Sequence, residues 1–203
     1  MAAYPVVFGL VRPERFDRMH VLLRFAVFAV LAMFGICVGH VGSMVYFLLP
    51  VVVAVLVSRR GAFGYMAEDA PRVARALQWI LGAFAYLALL TDRLPTAETD
   101  GPIRFEVHPE STPTVAGALL RLVTSIPLAI VLGVLGIIAS IVMGIASLFV
   151  LFTERQPAQL FDFQCAVMRL SARFFAYHAS FVDRYPPLTL EPGPSTPAPV
   201  MTR

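Results

Sequence analysis

The chain has 203 residues, of which 58% are apolar and only 14% are charged, and its mean hydropathy is +0.76. Ordinary soluble domains contain about 45–50% apolar and about 25% charged residues. A chain of this size needs a polar surface in water, and this composition does not supply one. The soluble globular, disordered, fibrous and disulfide-scaffold classes are therefore disfavoured, and the composition predicts a membrane protein.

The formal net charge is +3, and all 16 basic residues are arginine. The arginines lie at the ends of apolar runs, where membrane anchors are found, and they form no basic cluster interleaved with aromatic residues of the kind that binds nucleic acid. Guanidinium groups suit lipid phosphates and carboxylates. The expected partners are therefore anionic lipids and other integral membrane proteins, with no nucleic acid.

Several short motifs occur twice, in the same order, in the two halves of the chain. The pairs are Arg12-Pro13-Glu14 and His108-Pro109-Glu110, Leu22-Leu23-Arg24 and Leu119-Leu120-Arg121, Ala85-Tyr86 and Ala176-Tyr177, and Asp92-Arg93-Leu94-Pro95 and Asp183-Arg184-Tyr185-Pro186. Matches of this number and order predict a tandem duplication with a period of about 90 residues. The expected units are a first membrane repeat (1–95), a linker (96–101), a second membrane repeat (102–187) and a Pro-rich, disordered tail (188–203).

Each half contains a long apolar run that determines the expected membrane geometry. The runs cover residues 25–57, which are 33 residues, and 122–152, which are 31 residues. A single helix of that length would extend about 50 Å, far beyond a hydrocarbon core of about 30 Å. Each run is therefore predicted to turn back as a short transmembrane helical hairpin, at Gly39 to Ser43 in the first run and around Gly133 to Gly136 in the second.

A third helix is expected in each half, over residues 72–91 and 163–182. Arg169 and Arg173 lie near the middle of the second one, where crossing a bilayer costs about 2.5–3.5 kcal/mol for each arginine, so an amphipathic helix lying in the membrane interface is favoured. The expected fold is an all-α membrane protein with four spanning segments and two in-plane helices, and six spanning segments are the alternative. Because arginines flank both hairpins, the protein is expected to be multi-pass with both termini cytoplasmic.

Two segments outside the helices, residues 6–10 and 103–107, are expected to be extended, because apolar and polar residues alternate in the second and the first occupies the equivalent place. They either pair as a small cytoplasmic ribbon or remain two unpaired arms. The Asp-Arg-x-Pro motifs are interpreted as helix terminators, since the residue before a proline is displaced from the α region. The aspartate and arginine of each motif are expected to pair with each other.

The second half resembles a family of bacterial, mainly actinobacterial, membrane proteins known only as a domain of unknown function. The motifs that carry the resemblance are Pro102-Ile103-Arg104-Phe105, Leu151-Phe152-Thr153-Glu154-Arg155-Gln156-Pro157, Leu160-Phe161-Asp162-Phe163, Arg169, Tyr177 and Asp183-Arg184-Tyr185-Pro186-Pro187. The family has a glycine and an aromatic residue where Glu154 and Gln156 stand. The first half matches weakly, through Tyr4-Pro5, Phe8 and Asp92-Arg93-Leu94-Pro95. The resemblance implies a tandem architecture and a cell-envelope setting, but no activity.

No catalytic, cofactor or metal signature is recognisable in the sequence. Cys37 and Cys165 lie inside apolar stretches and are interpreted as buried small apolar residues, and the four histidines have no metal-ligand spacing. No acidic residue falls inside a predicted hairpin, which weakens the case for a transporter or channel. We therefore expect no enzymatic activity and no cofactor.

Two sets of residues are candidates for contacts. Small residues recur every fourth position at Gly35 and Gly39 and at Gly136, Ser140 and Gly144; they either pack the two legs of a hairpin together or form a docking face for another membrane protein. Arginines that could gather at the cytoplasmic interface and contact anionic lipid headgroups are Arg155, Arg169, Arg173 and Arg184, with generic snorkelling anchorage as the alternative.

Two classes of function remain after these exclusions. The favoured one is a non-catalytic accessory or scaffold subunit of a multi-protein inner-membrane complex, and the family setting suggests an envelope lipid transporter as that complex. The alternative is an autonomous small transporter or lipid-binding membrane protein, with its substrate held between the two halves.

Overall fold

The computed structural model describes residues 4–33, 38–95 and 103–190. In the first half, strand β1 (Val6–Leu10) precedes helices α1 (Arg18–Met33) and α2 (Val38–Gly64), and a π-helical turn (Tyr65–Asp69) joins α2 to helix α3 (Ala70–Leu87). In the second half, strand β2 (Ile103–Val107) precedes helices α4 (Val115–Thr124), α5 (Ile126–Thr153) and α6 (Ala158–His178). The described protein is mostly helical.

Two helical stretches are long and apolar enough to cross a membrane, Gly39–Leu87 and α5. The first stretch is not straight, because Gly61 has a φ of 72°, a backbone conformation that glycine adopts readily, and the π-helical turn follows it. Helix α5 has 28 residues and is therefore about 42 Å long. Helix α1 has 16 residues, about 24 Å, which is shorter than a hydrocarbon core.

The predicted hairpin turns are wrong. Gly39 to Ser43 lie within α2, and Gly133 to Gly136 lie within α5. A glycine inside a helix costs only about 1 kcal/mol relative to alanine, which is too little to end a long apolar helix. The break in the second half falls instead at Ser125, two residues before Pro127, whose ring and missing N–H disfavour a continuous helix through Val123. In the first half, residues 34–37 between α1 and α2 lie outside the described part of the chain.

The two predicted extended segments pair with each other as an antiparallel ribbon, which decides between the two alternatives that the sequence left open. Val6 lies opposite Val107, Phe8 opposite Phe105, and Leu10 opposite Ile103. Val6, Phe8, Leu10, Ile103 and Phe105 are buried, so one face of the ribbon belongs to the core. The ribbon joins the two halves of the chain at their beginnings.

Helix α6 is the most enclosed helix of the described structure. It contacts α2, α3, α4, α5 and β1. Thirteen of its residues are buried, among them Phe161, Leu170 and Phe174. Its amphipathic pattern is therefore satisfied largely by other parts of the same chain.

Helices α5 and α6 are antiparallel neighbours. Four residues separate the end of α5 from the start of α6. The end of α6 returns to the start of α5, where Thr124 Oγ1 lies 3.1 Å from the Tyr177 hydroxyl and Ser125 Oγ lies 3.3 Å from His178 Nε2. Since both ends of the two helices meet, α6 must run alongside α5.

Strand β1 also follows α6. The Tyr4 hydroxyl donates a hydrogen bond to the carbonyl oxygen of Arg184, 3.0 Å away, just after α6 ends. At the other end of the strand, Arg12 donates to the carbonyl oxygen of Gln156, just before α6 begins. Helix α6 is thus accompanied along its length by both α5 and β1.

Candidate functional site

Arg24 holds the start of α1 against the end of α3. Its side chain is 4% exposed. Nε donates to the carbonyl oxygen of Tyr86 at 2.6 Å, and Nη2 donates to the carbonyl oxygen of Thr91 at 2.6 Å and to Asp92 Oδ1 at 2.9 Å. The guanidinium also lies over the Tyr86 ring, 4.4 Å from its centroid. The Arg24 cation therefore binds two carbonyl groups and one carboxylate at and just beyond the end of α3, where the helix dipole favours positive charge.

Arg121 repeats this arrangement between α4 and the end of α6. Nη1 donates to the carbonyl oxygens of Tyr177 and Val182, Nη2 lies 2.6 Å from Asp183 Oδ1, and the guanidinium lies 4.5 Å from the Tyr177 ring centroid. In both halves the aspartate of the Asp-Arg-x-Pro motif therefore pairs with an arginine far away in sequence. The sequence did not predict these long-range pairs, and pairing of each aspartate with the arginine beside it stays a prediction.

The loops that receive the two arginines share one backbone conformation. Leu89 and Ser180 both have a positive φ, 61° and 56°. The N–H of the next residue in each loop donates back into its helix, from Leu90 to Ala85 at 2.9 Å and from Phe181 to Ala176 at 3.1 Å. Such left-handed helix ends gather several carbonyl groups at one point, which explains why one buried guanidinium can bind two of them.

The four arginines predicted to contact lipid headgroups do not form one cluster. Arg173 lies 5.8 Å from the centroid of the Tyr4 ring, whose hydroxyl bonds to the carbonyl of Arg184. Arg169 lies one turn earlier on α6, near Cys165, whose thiol pKa is raised by burial to about 12. Arg155 lies apart from the other three, at the end of α5. Contact of these four residues with lipid stays a prediction.

Arg155 lines a shallow open cleft of about 390 Å³ together with Arg15, Thr153 and Glu154. The cleft joins the segment before α1 to the end of α5. The backbone N–H of Phe16 donates to the carbonyl oxygen of Glu154 at 3.0 Å, and Arg18 Nε lies 3.1 Å from Glu154 Oε1. These contacts fix the two walls relative to each other.

The charge of this cleft is positive. Two arginines, Arg15 and Arg155, line it with one carboxylate, that of Glu154, and this carboxylate already pairs with Arg18 outside the lining. Guanidinium groups arranged in this way favour phosphate or carboxylate ligands. Sequence reasoning found Arg155 but missed Arg15, because no motif connects two residues so distant in the chain.

The small-residue candidates fall in different places. Gly35 lies outside the described residues, and Gly39 is exposed in the first turn of α2. Gly136, Ser140 and Gly144 follow one side of α5, and no atom of the described residues lies within 4 Å of the position that a Cβ would take at either glycine. On α5 the small residues therefore do not pack two legs of a hairpin together, which was one of the two alternatives.

His178 is the last residue of α6 and is fully buried against α2 and the end of α4. Its ring lies 4.4 Å from that of Phe174 and 4.9 Å from that of Tyr46, measured between centroids. Burial, and secondarily the positive charge of Arg121, lower its pKa to about 4. The imidazole is therefore neutral at physiological pH. Among the described residues, no group of three or more His, Cys, Asp and Glu side chains could hold a metal ion.

Comparison with known proteins gives one match. Residues 116–189 match the model of a family described as a domain of unknown function (DUF4389). The matched segment begins in α4 and ends after α6, so it contains the whole Arg121 arrangement and the end of α5. No curated protein and no solved structure matches the chain. The predicted resemblance of the second half to an uncharacterised family is confirmed; its bacterial setting and its extension to the first half stay predictions.

Proposed function

We propose that the protein is a non-catalytic accessory or scaffold subunit of a multi-protein assembly in the bacterial inner membrane. The observation that carries this proposal is that Gly136, Ser140 and Gly144 lie open along one side of α5. We call these three residues the small-residue row. Small residues at every fourth position let a second helix backbone approach closely in lipid. The partner that fits this side is a helix of another integral membrane protein.

The surroundings of the small-residue row support docking of a membrane helix. At about 100° per residue, the row lies roughly a quarter turn from the outward face of α5, where Ile137, Ile141 and Ile145 are exposed. The side of α5 opposite the outward face packs against the rest of the chain through Leu128, Ala146 and Val150, which are fully buried. A partner helix can therefore lie beside α5 without displacing any part of this chain.

We also propose that the two halves are tandem repeats. Arg24 and Arg121 make matching hydrogen bonds to matching loops, and the left-handed residues Leu89 and Ser180 occupy equivalent places. Phe8 and Phe105 stand at the same position of the two repeats and lie opposite each other in the ribbon. An antiparallel pair centred on equivalent residues relates its two strands by a local two-fold axis.

The assembly that we propose for this subunit is an envelope lipid transporter, and only the family resemblance supports that step. The termini are proposed to lie in the cytoplasm, because the arginines Arg24, Arg59, Arg60, Arg121 and Arg155 flank the apolar runs. Anionic lipids are proposed as additional partners on the same grounds.

Site-specific photocrosslinking in native membranes tests the docking side. A photoreactive phenylalanine analogue at Ser140, in the small-residue row, should give one discrete protein adduct. The matched position Leu132 lies on the inward side of α5 and should not give that adduct. The same partner should copurify in a fixed ratio in mild detergent, and the Gly136→Leu variant should lose it.

The opposite result identifies the autonomous carrier. If Ser140 crosslinks only to lipid, and the purified protein alone transfers lipid between liposomes, the subunit proposal is wrong. A reconstituted Gly136→Leu variant serves as the control, because an autonomous carrier has no partner to lose at that side.

A further inference from the structure

The packing of α6 restricts how α5 can meet a membrane. Helix α6 runs back along α5 and carries Arg169 and Arg173 in its middle turns. If α5 crossed the bilayer, α6 would be carried to the same depth. Arginines near the centre of a bilayer are strongly disfavoured. The antiparallel pair therefore opposes a crossing by α5, although α5 is long and apolar enough for one.

The ribbon restricts α5 in the same way. Strand β1 follows α6, and β2 pairs with β1. The outer face of the ribbon carries an exposed ion pair, with Arg104 Nε 2.7 Å from Glu106 Oε1. A two-stranded sheet has open edges whose backbone groups need water or a partner, which hydrocarbon does not provide. Moving α5 through the bilayer would carry these groups with it.

The outward face of α5 is apolar along its whole length. Residues three or four positions apart form a stripe, which we call the outer stripe; it consists of Ile126, Ile130, Val134, Ile137, Ile141, Ile145, Leu148 and Phe152. All of them are exposed, Ile137 at 67% and Phe152 at 75%. The stripe follows a helix about 42 Å long, so it is longer than a bilayer core is thick. A continuous exposed apolar stripe of this length marks a surface that contacts lipid or another protein.

The charge at one end of the outer stripe fits lipid headgroups. The cleft lined by Arg15 and Arg155 lies at the end of α5, close in sequence to Phe152, whose ring is exposed. Positive charge beside an apolar stripe is complementary to an anionic membrane surface, where headgroups lie just above acyl chains. An aqueous protein partner would not require this combination.

We propose that α5 lies along the membrane surface, with the outer stripe immersed in the acyl chains of one leaflet and the Arg15–Arg155 cleft among anionic headgroups. In this arrangement α6 and the ribbon stay on the aqueous side of α5. The inference deepens the proposed function, because it states how the subunit meets the membrane, but it does not depend on a protein partner. The small-residue row remains available within the leaflet for a neighbouring helix.

The depth of spin labels along the outer stripe tests the inference. Single cysteines replace Ile130, Ile137 and Ile145 in a Cys37→Ala/Cys165→Ala background, and the full chain is reconstituted in vesicles of phosphatidylglycerol and phosphatidylcholine. Relaxation by oxygen and by a water-soluble nickel chelate gives the depth of each label. We expect the three depths to agree within about one helical turn, roughly 5 Å. A label at Leu132, on the inward side, should be shielded from both reagents.

Two results would overturn the inference. A depth profile that is greatest at Ile137, with the labels at Ile130 and Ile145 each about 10 Å shallower, would mean that α5 crosses the bilayer. Full exposure of all outer-stripe labels to the nickel chelate would mean that the stripe does not enter lipid. Neither result depends on the crosslinking at Ser140, so a failure of the docking proposal and a failure of this inference are distinguishable.

Discussion

Arg24 and Arg121 are the residues on which the helix contacts of the two halves depend. Each is buried, and each binds two backbone carbonyl groups at the end of a helix as well as one aspartate. The aspartates differ in exposure, since the side chain of Asp92 is 19% exposed and that of Asp183 is 57% exposed. An exposed ion pair contributes little, so the carbonyl contacts are expected to dominate at Arg121.

This difference gives a first prediction, for the pair Arg121 and Asp183. Arg121→Gln should lower the free energy of unfolding by about 3 kcal/mol, because the carbonyl groups of Tyr177 and Val182 lose their charged donor, although that of Tyr177 keeps the N–H of Ser180. Asp183→Asn should cost less than about 1 kcal/mol. Denaturation in detergent micelles measures both. Equal costs for the two variants would mean that the ion pair, and not the carbonyl contacts, carries the interaction.

A second prediction concerns His178 and pH. Its pKa of about 4 in the folded state lies below the ordinary value of 6.5, so the unfolded chain binds the proton first. The stability that this neutral histidine contributes is therefore complete above pH 6.5 and is lost as the pH falls toward 4. Between pH 7.5 and 5 the loss should be about 2 kcal/mol.

Thermal unfolding at the two pH values checks this loss. His178→Phe keeps an aromatic ring beside Phe174 and Tyr46 and should show a smaller decrease in Tm on acidification than the parent protein. His108 is exposed, so His108→Gln is the matched control and should behave like the parent. A decrease that His178→Phe leaves unchanged would assign the pH dependence to other groups.

The cleft at the end of α5 leads to a third prediction. Arg15→Gln/Arg155→Gln should weaken binding of short-chain phosphatidylglycerol to the detergent-solubilised protein about thirtyfold, since each arginine near an anionic group contributes about 1 kcal/mol. Binding of phosphatidylcholine should change less. The variant Arg75→Gln/Arg93→Gln removes the same charge from two exposed positions elsewhere. If this control weakens binding equally, the effect is one of net charge, and the cleft has no special role.

At the scale of the elements, local patterns predicted more than long-range contacts did. The strands have the bounds that alternation and repeat position indicated, because a half-buried ribbon requires that pattern. The prediction of the hairpin turns was wrong, because glycine is tolerated inside an apolar helix where small residues are useful for packing. The pairing of Arg121 with Asp183 joins residues 62 positions apart. It could not be derived from an Asp-Arg neighbour pair, although the recurrence of Arg24 and Arg121 at equivalent places was a usable signal.

A fourth prediction tests the small-residue row as an element. Replacing Gly136 or Gly144 with leucine should reduce recovery of the partner about tenfold or more, because a bulky side chain keeps the partner backbone away from α5. The matched controls are Val134→Leu and Ile145→Leu, which enlarge or reshape outward residues of the same helix. Quantitative copurification from native membranes measures the difference. The same loss in all four variants would count against the row as an interface.

At the scale of the whole molecule, the long apolar helices are not separate from the polar elements. Helix α5 packs against α6, which in turn contacts β1, and α2 contacts α4 and α6. The arginines that flank the apolar runs therefore belong to one folded unit. If the helices lie in one leaflet, every flanking arginine is on the same side of the membrane. The positive-inside rule is then satisfied without any transmembrane hairpin.

The last prediction uses membrane topology to distinguish transmembrane hairpins from in-plane helices. A reporter fused at Thr99, in the linker outside the described residues, should be active only in a cytoplasmic form. Both the predicted hairpins and the in-plane helices require this result, and an active periplasmic reporter would contradict both in favour of six spanning segments. The position of Gly42 distinguishes hairpins from in-plane helices. In a hairpin, Gly42 would face the periplasm. If α2 lies in the cytoplasmic leaflet, Gly42 would stay on the cytoplasmic side. In a Cys37→Ala/Cys165→Ala background, Gly42→Cys should resist a membrane-impermeant thiol reagent applied from outside, and Ser58→Cys should react only after the membrane is permeabilised. Labelling of Gly42→Cys in intact cells would mean that the start of α2 reaches the periplasmic side, and it would exclude the in-plane placement of α2.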